Sequence, residues 1–255
     1  MSDFPIACQT ITWGPKQKER FPEVFAEVAA AGFTGVEIGF RHIRETPPAK
    51  LKEMLDGQGL ELAASHMGGN LFDPAQADAE RGILDEALDY LSAMGTKLLM
   101  YSGLRFNDEE QFARDLEMLN NGAENCRERG ITLLYHNHGW EFADDGKVIR
   151  ALIKDGRIGF CLDVGWVMKG GWNTTDFLDS ICGRVGAIHF KDFATNGSGC
   201  DTVSLGKGIA PLKEAADWVR RNTNGLWVIA EQDNADIPPA EAAAINAEFL
   251  KKVLE

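Results

Sequence analysis

Short, nearly continuous apolar runs alternate along this chain with longer stretches in which apolar residues return at helical spacing. The runs cover residues 6–12, 35–40, 61–66, 97–102, 131–137, 158–163, 185–190 and 226–231. Most are apolar throughout rather than at every second position, the pattern of parallel strands covered on both faces. Residues 21–31 (FPEVFAEVAAA), 80–94 and 109–129 read as amphipathic helices that stop at Gly32, Gly95 and Gly130. Glycine just past the last turn is the expected stop, because it takes the left-handed conformation that closes a helix. Shorter helical patterns cover 48–56, 148–154, 175–181, 211–221 and 240–254. Thr175 and Asp176, after Asn173, offer a cap and an acidic first turn.

Eight strand–helix units without a linker, low-complexity segment or repeat predict an α/β fold: a single-domain (β/α)8 TIM barrel over residues 1–255. An open doubly wound sheet would normally carry a glycine-rich turn after its first strand. Here that turn is TWGPKQ, with no GxGxxG, and there is no P-loop elsewhere.

Composition narrows the function classes. A length of 255 residues with 44% hydrophobic and 25% charged residues suits one soluble domain with a substantial core. The formal net charge of −13 argues against a nucleic-acid partner and against an anionic membrane surface, and is compatible with a small, largely neutral substrate. Cys8, Cys126, Cys161, Cys182 and Cys200 are odd in number with no CxxC pair, and read as buried reduced thiols. The N-terminus lacks a basic region followed by a long apolar stretch, and no run approaches the roughly 20 residues of a membrane span. The expected location is cytoplasmic.

In such a barrel the C-terminal strand ends carry the chemistry. Polar residues collect there: Glu37 inside the end of strand 2, His66 on strand 3, Tyr135-His136-Asn137-His138 and then Glu141 on strand 5. Asp163 closes strand 6, His189 and Lys191 strand 7, and Glu231 strand 8. A charge or imidazole beside a short apolar run is costly without a partner. Glu141, Asp163, His189 and Glu231 therefore form a candidate ligand set for one divalent ion, Mn²⁺ first among Mg²⁺, Co²⁺, Zn²⁺ and Fe²⁺. Such an ion would polarise a carbonyl and acidify the neighbouring C–H, with Glu141 and Glu231 as an acid/base pair moving the proton. Any one strand-end carboxylate alone is more often a cap or a solvated loop residue, and Asp163 before Val164-Gly165 also suits a turn. Four on consecutive strand ends, one of them His, favour the shared ion.

Other residues divide between substrate contact and structure. His66 fits either role. His136 and His138 share a face with Asn137 on the other, and His138, nearer the rim, is the better substrate candidate. His42 lies in a charged stretch and is expected in solvent. Trp13, Trp140, Trp166 and Trp172 fall in loops on the catalytic side, as aromatic walls for a sugar ring or as loop packing. Gly206-Lys207-Gly208 offers a lysine and free N–H groups to an anion.

Several segments together resemble a known family: AGFTGVEIGF (31–40), LAASHMGGN (62–70), YHNHGWEF (135–142), CLDVGWV (161–167), IHFKD (188–192), LGKGI (205–209) and VIAEQD (228–233). The chain resembles the xylose isomerase-like TIM-barrel superfamily, in its sugar phosphate isomerase/epimerase branch, and is similar to inosose dehydratase-like proteins. The resemblance implies a metal held by Glu141, Asp163, His189 and Glu231, and the two glutamates as acid and base. It implies substrate contact by His66, with Glu37, His138 and Lys191 as further candidates; Trp13 and Trp166 join the substrate-binding candidates from their loop positions. Many relatives carry His where this chain has Trp166, which separates the metal site, carried over well, from the substrate pose. The expected function is a metal-dependent isomerase or epimerase of a sugar or keto-sugar, working through a metal-stabilised enediolate. The alternatives are an inosose dehydratase-like or 3-keto-sugar lyase acting by β-elimination, and a non-catalytic sugar-binding barrel. The partner is a small sugar, keto-sugar or inosose; a homo-oligomer is the analogy from other barrels.

Overall fold

Runs that are apolar on both faces need a layer on each side, and a closed sheet wrapped in helices supplies both. The computed structural model describes residues 4–68, 76–195 and 201–255. Its strands are β1 (Ile6–Gln9), β2 (Gly35–Gly39), β3 (Glu61–Gly68), β4 (Leu98–Ser102), β5 (Thr132–His136), β6 (Gly159–Asp163), β7 (Val185–Phe190), β8 (Asp192–Phe193), β9 (Thr202–Val203) and β10 (Trp227–Ala230). Eight of them close a parallel barrel in the order β1-β10-β7-β6-β5-β4-β3-β2, and β8 and β9 pair separately as an antiparallel ribbon. The helices are α1 (Phe21–Ala31), α2 (Phe40–Ile43), α3 (Pro48–Asp56), α4 (Ala77–Met94), α5 (Glu109–Glu128), α6 (Ala143–Asp155), α7 (Val164–Lys169), α8 (Thr174–Ser180), α9 (Leu212–Asn222) and α10 (Pro239–Leu254).

The core divides into two clusters. The larger joins the outer strand faces to the helices, with Phe25, Leu51, Leu91, Phe160 and Trp218 fully or almost fully buried. The smaller fills the barrel itself with Ala7, Ala63, Ala64, Met100, Leu134, Cys161, Ala187 and Ile229. Its members are mostly short, as the narrow interior of an eight-stranded barrel requires.

The predicted helix stops at Gly32 and Gly95 hold, with φ of 92° and 77° that only glycine adopts at little cost. The first run ends early: the Gln9 side chain accepts from the Ile11 N–H at 2.7 Å and turns Thr10–Trp13 into a 3-10 helix. Two short helices escaped the periodicity. α2 starts at Phe40, where the second run was expected still to be strand, and α7 follows β6 directly because the Asp163 carboxylate caps it on Trp166 N at 2.8 Å.

Two placements differ from expectation. His42 is 9% exposed, not in solvent, because α2 turns its ring inward, where it accepts from Arg41 Nε at 3.1 Å. Cys8, Cys126 and Cys161 are buried and free, but Cys182 is exposed in the turn after α8; Cys200, like Gly69 and Asn70, lies outside the described residues. Burial pushes the Cys8 and Cys126 thiols up to about 12 and Cys161 to about 11. Among the described residues no helix is long and apolar enough to cross a membrane.

Candidate metal centre and substrate cleft

Two residues along a strand return to the same face. Stepping two residues from the apolar interior layer therefore gives the next layer towards the barrel mouth. Ala7 leads to Gln9, Ala64 to His66, Met100 to Ser102, Leu134 to His136, Cys161 to Asp163, Ala187 to His189 and Ile229 to Glu231. Glu37 takes the corresponding place on β2, opposite Gln9 in the register. Every barrel strand thus contributes one polar residue, and all but His66 are buried.

Within this ring His136, Asp163, His189 and Glu231 converge, with one ligand atom each inside 4.8 Å of the others. Three of the four expected ligands are in the group, and its fourth member is His136. Glu141 stands outside: its carboxylate accepts from Tyr135 Oη and from His138 N, both at 2.8 Å. The reason is register. His136 ends β5 pointing inward, whereas Glu141 lies on the 3-10 turn Trp140–Phe142 beyond it. Burial raises the Glu141 pKa to about 7 despite these hydrogen bonds.

The arrangement demands positive charge. His189 Nε2 sits 2.7 Å from Glu37 Oε2 and Nδ1 sits 2.6 Å from Glu231 Oε2. If Nε2–H donates to Glu37, Nδ1 faces a carboxylate, and only a proton or a cation reconciles them. Burial works against a charged His189, but Cys161, Glu37 and Glu231 outweigh it and hold its pKa well above the usual histidine range. His136 Nδ1 and Asp163 Oδ2 are buried without a hydrogen-bond partner. A mixed nitrogen–carboxylate set with spare lone pairs, one histidine oriented by a carboxylate behind it, fits a divalent ion.

Lys191 supplies the remaining charge. Its ammonium, 1% exposed, lies 2.9 Å from Asp233, 3.3 Å from Glu231 and 3.7 Å from Asp163, and 5.5 Å from the centre of the Trp166 ring. Burial favours a neutral Glu231, yet Lys191 and His189 together hold its pKa well below the carboxylate range. Asp163 goes the other way, to about 7, because burial dominates over the more distant ammonium.

A cleft of 370 Å³ opens onto this centre, lined by Glu231, Asp233, His66, Ser102, His138 and the α2 residues Arg41 and His42 among others. His66 Nε2 lies 3.0 Å from Ser102 Oγ. His138 stacks on Trp140, ring centres 4.1 Å apart, and burial with Lys191 nearby lowers its pKa to about 3. Both imidazoles are neutral at ordinary pH, since burial lowers His66 as well.

The tryptophans pack the loops. Trp13 donates to Glu27 at 2.6 Å and is not among the cleft-lining residues. Trp166 packs edge-on against Phe193 at 4.8 Å, with Nε1 buried and unpartnered, and Trp172 packs on Phe142. The glycine turn is occupied from within. Asp192 accepts from the N–H groups of Phe193, Gly206, Gly208 and Ala210 at 2.9–3.0 Å, and the Lys207 N–H donates to Ser204 O, so the main-chain donors of the turn are already taken.

Residues 25–253 match the family model described as xylose isomerase-like TIM barrel. An inosose dehydratase of Clostridium beijerinckii is 22% identical, over 92% of this chain and 90% of its own. A sugar phosphate isomerase/epimerase from Parabacteroides distasonis superposes with a TM-score of 0.79 at 20% identity, covering 98% of this chain and 94% of that one. A D-allulose 3-epimerase from Methylomonas sp. gives 0.78 at 17% identity, covering 99% of each.

Proposed function

The chain belongs to the xylose isomerase-like TIM-barrel family, and from that premise we propose that it is a divalent-metal-dependent isomerase or epimerase of a sugar or keto-sugar. The observation that carries this reading is the buried convergence of His136, Asp163, His189 and Glu231 where the cleft meets the barrel mouth. These four side chains would hold the ion, Mn²⁺ being a good match to two imidazoles and two carboxylates. When bound, the ion polarises the substrate carbonyl and acidifies the adjacent C–H.

Glu231 is the proton-transfer residue. It lines the cleft, with Lys191 3.3 Å from its Oε1, while its Oε2 faces His189 Nδ1 where the ion would sit. His66 and His138, neutral and facing the cleft, hydrogen-bond substrate oxygens. Glu37 orients His189, and Lys191 holds Glu231 and Asp233. Glu141, the other half of the acid/base pair expected from the sequence, becomes a positioning residue: it holds His138 through its main-chain N–H. Trp166 closes over Lys191, and Trp13 braces α1 rather than the ligand.

β-Elimination of water from an inosose or 3-keto-sugar is the second reading. Two observations favour it: the relative matched over 92% of the chain is an inosose dehydratase, and Glu231 is the one member of the expected glutamate pair that lines the cleft. Both reactions begin with the same proton abstraction. Incubation of the Mn²⁺-supplemented protein with ketohexoses and with scyllo-inosose in ²H₂O separates them. Deuterium entering next to the carbonyl with ketose interconversion supports the isomerase, and conjugated-enone absorbance from scyllo-inosose supports the lyase. Absence of both signals would leave a binding barrel, and equal activity in Glu231→Gln would sink Glu231 as the proton-transfer residue.

A further inference from the structure

Most arginines of the described residues lie against a carboxylate, as Arg44 does on Glu86 at 2.6 Å and Arg157 on Glu117 at 3.1 Å. In a chain of net charge −13 this is the expected state. Arg41 differs. Among the described residues no carboxylate lies within 4 Å of its guanidinium, although Glu80 lines the same cleft. Among the described residues its guanidinium donates to His42 Nε2, from Nε at 3.1 Å. Burial, with Arg41 and Lys18 nearby, lowers the His42 pKa, so this partner is a neutral acceptor. The contact orients the guanidinium without cancelling its charge, and among the described residues leaves the terminal nitrogens available for a forked acceptor.

The cleft holds a second uncommitted group on that side. Gln17, 2% exposed, lines it, and its Oε1 is buried without a hydrogen-bond partner. A buried amide oxygen left unpaired is costly, and a donor from a ligand satisfies it. The same cleft includes Glu231, so a ligand that meets the proposed metal centre also has Arg41 and Gln17 within its walls.

Resting on the metal-dependent reading above, we propose that the ligand of this cleft is a polyhydroxy ketone bearing an anionic oxygen group, phosphate or carboxylate. Arg41 binds the anionic group, and a ligand hydroxyl donates to Gln17 Oε1. The chain's overall acidity repels such a ligand at long range, so the local cation decides whether it is accepted.

Three probes share one six-carbon keto skeleton: D-fructose is neutral, D-fructose 6-phosphate adds a phosphate, and 5-keto-D-gluconate adds a carboxylate. Each is titrated calorimetrically into the Mn²⁺-supplemented full chain, into Arg41→Gln, and into Arg44→Gln as a control whose cation is already paired. One anionic probe should bind about tenfold or more tighter than D-fructose, the scale of a charge-assisted forked contact. The advantage should vanish in Arg41→Gln and persist in Arg44→Gln; which anion gains identifies the group. Binding of all three with equal affinity, or an advantage that survives Arg41→Gln, overturns the inference but leaves the metal centre standing. Binding of none, with and without Mn²⁺, counts against both.

Discussion

Glu37 touches the proposed metal centre through one contact, the 2.7 Å bond to His189 Nε2, and that bond selects which ring nitrogen faces Glu231. Removing its charge should weaken metal binding without removing a ligand. Glu37→Gln is expected to lower Mn²⁺ affinity about 10–100-fold in a chelator competition, the usual cost of losing a carboxylate behind a ligating histidine. Unchanged affinity would mean that His189 is oriented some other way. Glu141 invites a different measurement. Its pKa rises from 4.5 to about 7, so the native state binds this proton more tightly than the unfolded chain. Stability should therefore fall as pH rises from about 4.5 to about 7, by on the order of 3 kcal/mol from this group. Urea unfolding of Glu141→Gln should show that part of the slope removed; a slope identical to wild type would contradict the placement. His136 and Glu141 also mark what the sequence left ambiguous. Both follow the same apolar run, and strand periodicity alone does not say which face looks inward. Counting in steps of two from Leu134 selects His136, but only once Leu134 is known to fill the barrel.

The regular elements were legible because local and global signals agree. Continuous apolar runs became barrel strands within a few residues of their expected ends, and α1, α3 and β7 match their predicted spans. What was missed depends on single side chains: Gln9 turning the chain after β1, Asp163 capping α7, and Asp192 gathering the loop after β9. Asp192 is the strongest of these. The four main-chain donors it satisfies hold residues far apart in sequence, and its loss would orphan them together. Asp192→Ala should cost about 3 kcal/mol or more in urea unfolding, with the m-value unchanged. A cost below about 1 kcal/mol would show that water replaces the carboxylate readily. Cys182 follows the same logic of elements, since the turn between α8 and β7 leaves it in solvent. In the native protein a thiol reagent should modify Cys182 at once and leave Cys8, Cys126 and Cys161 intact until denaturant is added. Early modification of Cys161 would mean that the barrel interior opens.

For the whole molecule, the barrel brings together side chains that no local pattern joins. Glu37 and His189 are 152 positions apart in the chain and 2.7 Å apart in space. The strand-end positions of the polar residues marked the rim in the sequence, and two-residue periodicity within the closed sheet then assigns the ring. We propose that one divalent ion binds among His136, Asp163, His189 and Glu231, and that Glu141 is not needed for it. Calorimetric titration of Mn²⁺ into chelator-stripped wild type, Asp163→Asn, His136→Ala and Glu141→Gln tests this most directly. A single saturable site in wild type and Glu141→Gln, lost in Asp163→Asn and His136→Ala, is the predicted result. No saturable binding in wild type, or binding that survives Asp163→Asn and His136→Ala but fails in Glu141→Gln, would contradict it.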